Sequence, residues 1–443
     1  MKTDPAFYRL VLGFTCWVWL LAGIASGQTF GHPGLLHNAE DLARMRTQVK
    51  DSAEPWLSGW KRLTANSHSS ATYAPQAVDT VYRGTGTPEN YGKLYHDAAA
   101  AYALALRWHV GGDTAHAEAV KRVLNAWSSQ LKKVDGTSDK FLAAGLYGYQ
   151  LANAAELLRG YAGWPAQDFE ALKSLMLRVF YPMSHDFLVN HNGACISHYW
   201  ANWDLVNMAN VIAIGILCDS QSIFQEGVDY FKHGAGNGSI GNTVWFIHPG
   251  GLGQWQESGR DQGHSLLGPA IVGAICEMAW KQGEDLYGYD DSRLLKGLEY
   301  VAKYNLGDSV PYEPYDNCDG VKQDTISSAS RGGLRPGWEL LYNHYAIRKG
   351  LAAPYTQAYA ELVRPEGGGG DYGPNSGGYD QLGYGTLTAS LPMATDPILR
   401  FRSRREAFPG RGEMILTRSG LFRPLPIWIS RDALGRKAKG LGE

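Results

Sequence analysis

No charge of one sign dominates this chain. Its 41 lysines and arginines nearly balance 43 aspartates and glutamates, leaving a net charge of −2. So even a balance provides no global field to draw in nucleic acid. Cysteine is scarce. There are five, and Cys16 lies in an N-terminal apolar run, which leaves Cys195, Cys218, Cys276 and Cys318. None belongs to a Cys-x-x-Cys pair or a Cys/His cluster, so a zinc site is not expected, and no other metal or cofactor is either. The glycine-rich segment at 364–385 does not continue as GxxxxGK[ST], which excludes a phosphate cradle of that kind. Past residue 24, no stretch is long and apolar enough to span a bilayer.

What is present begins with an address. Lys2 and Arg9 precede an almost wholly apolar run at 10–24, and Ala25-Ser26-Gly27 follows it. Residues 1–27 therefore read as a secretory signal peptide, cleaved near Gly27. The expected destination is extracellular, or the periplasm in a Gram-negative cell, with no membrane attachment after cleavage. Four remaining cysteines permit two disulfides there, although Cys218 and Cys276 lie in apolar helical stretches that suit plain buried thiols. Asn237-Gly238-Ser239 is a glycosylation sequon.

The body of the chain reads as helix after helix. Mostly apolar helices start near 97, 140, 199, 260, 336 and 379, and amphipathic ones lie between them. A helix apolar on all sides is covered on all sides, whereas one with a polar face lies outside. The expected fold is all-α, an (α/α) toroid (incomplete barrel) of six to seven helical hairpins over 28–395. The basic segment 396–443 has no helical period and is given no role. Inner helices of a toroid run parallel, so their N-termini and the positive ends of their dipoles share one mouth. The polar residues concentrate at those starts. Examples are Tyr91, Tyr95 and His96, then Lys140 and Tyr147, then Asn190 to Asn202, then Arg260 and His264, then Arg331, Arg335 and Trp338, and finally Tyr372 and Tyr379.

The densest knot opens the stretch Gly250 to Trp280: Gln256, Glu257, Ser258, Arg260, Asp261, Gln262 and His264, followed by four apolar helical turns. Buried charge is costly unless paired or used. A mouth of Arg, His, Asn and Tyr suits an anionic ligand, and β-elimination from a uronic acid fits it. The C5 proton of a uronate lies α to a carboxylate. Arg, His and amide groups can neutralise that carboxylate and stabilise the enediolate-like intermediate. A Tyr or His removes the proton, and a Tyr protonates the departing O4.

The segments NYGKLYHDAAAAYALALRWHVGGD, HYWANW and GQWQESGRDQGHSLLG resemble the alginate lyase family of secreted polysaccharide lyases, and the resemblance runs over roughly residues 35 to 390. It implies an (α/α) toroid that cleaves polyuronates such as alginate or glucuronan by β-elimination, with no obligatory metal. The family's Asn-His pair before an inner helix is matched by Asn190-His191-Asn192 and His198-Tyr199-Trp200. Its catalytic Tyr seven residues after an Arg has no counterpart, since Arg260 is followed at that distance by Leu267. The expected catalytic residues are His198, Arg260, His264 and Tyr304, with Tyr304 placed at the end of an outer helix. The expected substrate-binding residues are Asn192, Asn202, Trp203, Gln256 and Tyr300. The expected partner is an anionic polysaccharide. Two other readings stay open. One is a glycoside hydrolase on the same toroid, using a pair among Asp204, Glu257 and Asp261. The other is a polyuronate-binding protein without catalysis.

Overall fold

The computed structural model describes residues 29–84, 88–372 and 379–392, so the expected signal peptide and the basic tail lie outside the described residues. Helix α1 (Ala39–Lys50) starts at Asn38, which with Asp41 forms a reciprocal capping box. After α2 (Trp56–Ala65) and the strand β1 (Thr80–Arg83) comes α3 (Gly92–Gly111). It stops at Gly112, whose left-handed φ of 80° ends the helix without a Cβ penalty. Then follow α4 (Thr114–Gln130), β2 (Lys133–Gly136), which pairs in parallel with β1, and α5 (Asp139–Leu158).

Between the apolar starts near 140 and 199, the amphipathic run at 165–189 is divided. Helix α6 (Ala166–Leu175) passes through a π-turn at Met176–Phe180 into α7 (Tyr181–Asn190). Pro182 supplies no N–H for the ladder there, and the wider π-turn absorbs the gap. Next come α8 (Ala201–Leu217), α9 (Gln221–His233), the single turn α10 (Ile240–Thr243) and the antiparallel ribbon β3 (Val244–Ile247) with β4 (Gly253–Trp255). Helices α11 (Gln262–Lys281) and α12 (Tyr289–Asn305) lead to the two-residue strands β5 (Tyr315–Asp316) and β6 (Lys322–Gln323). The chain then forms α13 (Trp338–Tyr342), α14 (Pro354–Val363) and α15 (Gly385–Thr388).

The expected alternation holds. Helices α3, α5, α8, α11 and α13 pack in succession side by side, and α4, α6 with α7, α9, α12 and α14 cover them from outside. The result is a ring of helical hairpins that does not close into a barrel. Burial explains the two classes. Every residue of α5 from Phe141 to Leu158 is buried, whereas the outer α9 buries five of its 13. The last expected inner helix, over 379–391, is shortened to α15. Gly383 and Tyr384 both take left-handed φ, 76° and 62°, and break the helical run before it. Among the described residues no helix is long and apolar enough to cross a membrane.

Among the described residues one disulfide forms, Cys195–Cys318, while Cys218 and Cys276 remain thiols. The sequon asparagine is buried, and its Nδ2 donates to the carbonyls of Ser197 and Tyr199 at 3.1 and 2.8 Å. Asn237 is thus committed to the fold and unavailable to a glycan. Beside it Gly238 admits no side chain, because a Cβ there would lie 2.2 Å from that of Asp204.

Candidate functional site

The site is built where α11 meets α8. Asp261 caps α11: its Oδ1 accepts the backbone N–H of His264 at 2.8 Å, and its Oδ2 accepts from His264 Nδ1 at 2.6 Å. Burial acts upward on the Asp261 carboxyl, but His264 and Arg260 together take it below its ordinary value. An ionised carboxylate only accepts, so the ring presents Nδ1–H to Asp261 and leaves Nε2 on its far side. Arg260 Nη1 donates to Glu257 Oε1 at 2.9 Å, and its guanidinium lies 5.4 Å from the centre of the Trp200 ring. Glu257 is wholly buried, which pushes its carboxyl up against the opposing pull of Arg260.

The same turn also caps the neighbouring inner helix. Gln256 Oε1 accepts from Ala201 N at 3.1 Å and Glu257 Oε2 from Asn202 N at 3.2 Å. The first N–H groups of α8, which no intrahelical carbonyl can satisfy, are thus answered from the turn before α11. This joins two helix starts into one wall. Gln256 Nε2 and Asn202 Oδ1 are buried there with no fully formed hydrogen bond among the described residues.

Sequence reasoning missed Tyr315. It sits on β5, and its hydroxyl donates to Asn237 Oδ1 at 3.1 Å. Burial lifts its phenol above the ordinary value, against the opposing pull of the Gln256, Asn237 and Ser197 side chains. The segment is anchored by Gln254, which donates to Glu313 O and accepts from Glu313 N, both at 2.7 Å. A usable signal was the Asn317-Cys318-Asp319-Gly320 run, whose Asp-Gly step marks a hairpin turn bearing one of the cysteines.

The other expected residues are distributed unevenly. His198 lies on the exposed loop before α8, with Nδ1 at 2.6 Å from Asp319 Oδ2. The Cys195–Cys318 disulfide staples that loop to the β5–β6 hairpin, and Ser197 Oγ accepts from Cys318 N at 2.8 Å. Tyr304 is at the end of α12, under the Arg331 guanidinium at 3.9 Å. Its neighbour Asn305 donates to Gln262 Oε1 at 2.9 Å, so the end of α12 abuts the start of α11 as expected. Tyr300 is buried and donates to Pro311 O at 2.9 Å, a contact that spends its hydroxyl on the fold. Trp203 stacks on Phe187 at 5.9 Å within an aromatic cluster that includes Tyr199, and exposed Asn192 donates to the Tyr199 hydroxyl at 2.9 Å. The structure therefore joins Arg260, His264, Asn202 and Gln256, and holds His198, Tyr304, Tyr300, Trp203 and Asn192 in other contacts.

A second wall stands at the starts of α3 and α5. Tyr95 stacks on Tyr379 at 5.2 Å, Tyr91 on Tyr147 at 6.4 Å, and the Arg83 guanidinium lies over Tyr91 at 4.8 Å. His68 Nε2 and His96 Nδ1 are 2.9 Å apart, and burial lowers His68 to about 4, so this pair is uncharged at neutral pH. Buried Asp380 pairs with Arg335 at 3.3 Å, and burial raises its carboxyl against the pull of Arg335.

The three carboxylates considered for a hydrolase each face a partner. Asp204 faces His191 at 3.2 Å and accepts from Gly238 N at 2.7 Å; Glu257 is held by Arg260, and Asp261 by His264.

The family model for alginate lyases matches residues 47–311, more than half of the chain. The chain belongs to the alginate lyase family. It is accordingly a polysaccharide lyase, and the hydrolase and binding-only readings are not favoured. The structure resembles that of alginate lyase A1-III from Sphingomonas species A1, at 16% identity and TM-score 0.53, over 80% of this chain and 95% of that one. A histidine-to-alanine variant of that enzyme, complexed with a tetrasaccharide, matches at 16% identity and TM-score 0.56, over 80% and 94%. An alginate lyase from Bacteroides ovatus matches at 13% identity and TM-score 0.54, over 82% of this chain and all of that one. Among curated proteins, none matches the sequence.

Proposed function

We propose that this lyase cleaves a polyuronate, alginate or glucuronan, by β-elimination at the joined starts of α8 and α11. The observation that carries this reading is the Asp261–His264 pair beside Arg260, with Gln256 Nε2 and Asn202 Oδ1 lacking a fully formed hydrogen bond at the same wall among the described residues. A tetrasaccharide in a structurally similar alginate lyase is consistent with an anionic glycan as substrate.

In this mechanism Arg260 and the Gln256 amide bind the uronate carboxylate and disperse the charge that builds on it as C5 loses its proton. His264 Nε2 takes that proton, with Asp261 fixing the ring and stabilising the imidazolium. The C5–H electron pair forms the C4–C5 double bond and expels O4. A tyrosine hydroxyl donates to the leaving oxygen. Tyr315 is better placed for this than Tyr304, because its hydroxyl shares the cluster of Gln256 and Asn237. The aromatic wall of Tyr91, Tyr95, Tyr147 and Tyr379 offers faces for the sugar rings. Export of a mature chain beginning near residue 28, with its catalytic toroid ending near 395, is part of the same proposal and rests on the terminal sequences.

The test is release of ultraviolet-absorbing unsaturated product from polymannuronate, polyguluronate and glucuronan. At least one polymer is expected to respond, and Arg260→Ala is expected to reduce kcat/KM by about 100-fold or more with the helical circular dichroism unchanged. Product from none of the three, or a near-normal rate in the variant, would reject the substrate or the site respectively.

A further inference from the structure

A second concavity opens at the same end of the ring. It is a groove of about 490 Å³ between β2, the first turn of α5, the π-turn and α7. Helix α5 begins here, which places the groove beside the mouth, and Pro182, Met183 and Asp186 of α7 face it. Lys132, Lys133, Lys140 and Arg178 line it, against Asp135 and Asp186. The four cations outnumber the two carboxylates. Asp135 pairs with Lys133 at 2.6 Å, and Asp186 accepts from Asn190 Nδ2 at 2.8 Å. Arg178 spends Nε on the Ser174 hydroxyl at 3.1 Å, and the Lys140 ammonium stands 5.1 Å from the centre of the Phe141 ring. Among the described residues Lys132, Lys140 and Arg178 thus have no carboxylate within ion-pair distance, in a chain whose net charge is −2.

The floor connects this groove to the candidate site. Phe141 and Met183 line it, and both also pack in the aromatic cluster of Phe187 and Tyr199, directly before α8. A polyuronate carries one carboxylate on each sugar. A strand passing from the start of α8 over the Phe141–Tyr199 wall would set successive carboxylates against cations that the fold leaves uncompensated. A row of flexible cations without a shaped pocket selects charge density rather than sugar identity, and salt screens it.

We propose that the groove holds the part of an anionic polysaccharide that extends beyond the reacting sugars. This inference rests on the polyuronate reading above. It predicts a grip on long chains that the chemistry at His264 does not need.

The experiment reverses two exposed charges, Lys132→Glu with Arg178→Glu. Neither side chain is part of the candidate catalytic wall. Binding is read by affinity electrophoresis through gels containing polymannuronate, with His264→Ala as the common background so that the polymer survives. The charge reversal is expected to weaken retardation about three- to tenfold, and the difference should vanish near 0.5 M salt, where the screening length falls to about 4 Å. In the otherwise wild-type enzyme, KM for polymer should rise by the same factor, while kcat and the rate on a tetrasaccharide stay unchanged. Unchanged retardation would overturn the proposal, and so would an equal loss on the tetrasaccharide, since the groove would then serve the reacting sugars. If the wild type cleaves no polyuronate at all, the proposed function fails, and the gel measurement still decides the groove.

Discussion

His264 and His198 each present Nδ1 to an aspartate at 2.6 Å, yet the two pairs are held by different means. The Asp261–His264 pair sits on the first turn of a 20-residue inner helix. The carboxylate that orients the ring is the same one that caps the helix, so the pair is fixed by the fold itself. The Asp319–His198 pair joins two loops, and a disulfide across 123 residues of sequence brings them together. Exposure follows: 35% and 23% for His264 and Asp261, 44% and 41% for His198 and Asp319. Catalytic geometry is kept best on rigid elements, and a loop pair needs a covalent tie to approach the same precision.

The largest expected effect separates the two histidines directly. His264→Ala should lower kcat by about 10² to 10⁴, the range of a lost general base, with the melting temperature little changed. His198→Ala should cost about tenfold or less. Equal losses in the two variants would move the base to the loop and reverse their ranking. The second effect concerns the tie. Replacing Cys195 and Cys318 by serine together should cost about 3–5 kcal/mol in denaturant unfolding, as expected for so long a closed loop. It should also reduce activity by loosening the hairpin that carries Tyr315. Full activity in the double variant would show that the hydrogen bonds to the hairpin hold that segment without the disulfide.

The smallest effect involves a third histidine pair, which has no carboxylate partner at hydrogen-bond distance. Burial lowers His68 to about 4 from 6.5, with His96 acting in the same direction. A base whose folded pKa lies below its unfolded one contributes stability that is complete above 6.5 and is lost as pH falls towards 4. Unfolding midpoints should therefore decline over that window, and less steeply in His68→Gln. Because His68 is partly exposed, the slope will be shallow; a slope identical in the variant would place the titration elsewhere.

The toroid was legible in the chain because a helix covered on every side must be apolar on every side, and that property is written locally. Alternating apolar and amphipathic runs therefore gave the inner and outer layers. The same local information gathered Arg260, His264, Gln256 and Asn202 at helix starts. It failed where a few residues decide. Pro182 shifts one helix through a π-turn, and left-handed Gly383 and Tyr384 cut another to a single turn. Pairings across sequence were not written locally at all. Cys195 meets Cys318, Asp319 reaches His198, and Tyr315 enters the cluster of Gln256 and Asn237 only because a two-strand hairpin folds back over the ring. By itself the sequence determined the helices, their layering and the mouth where polar groups collect. Tertiary structure decided which of those groups touch, because an ion pair or a hydrogen bond depends on distances of about 3 Å, and composition and period set no distance between segments far apart in the chain.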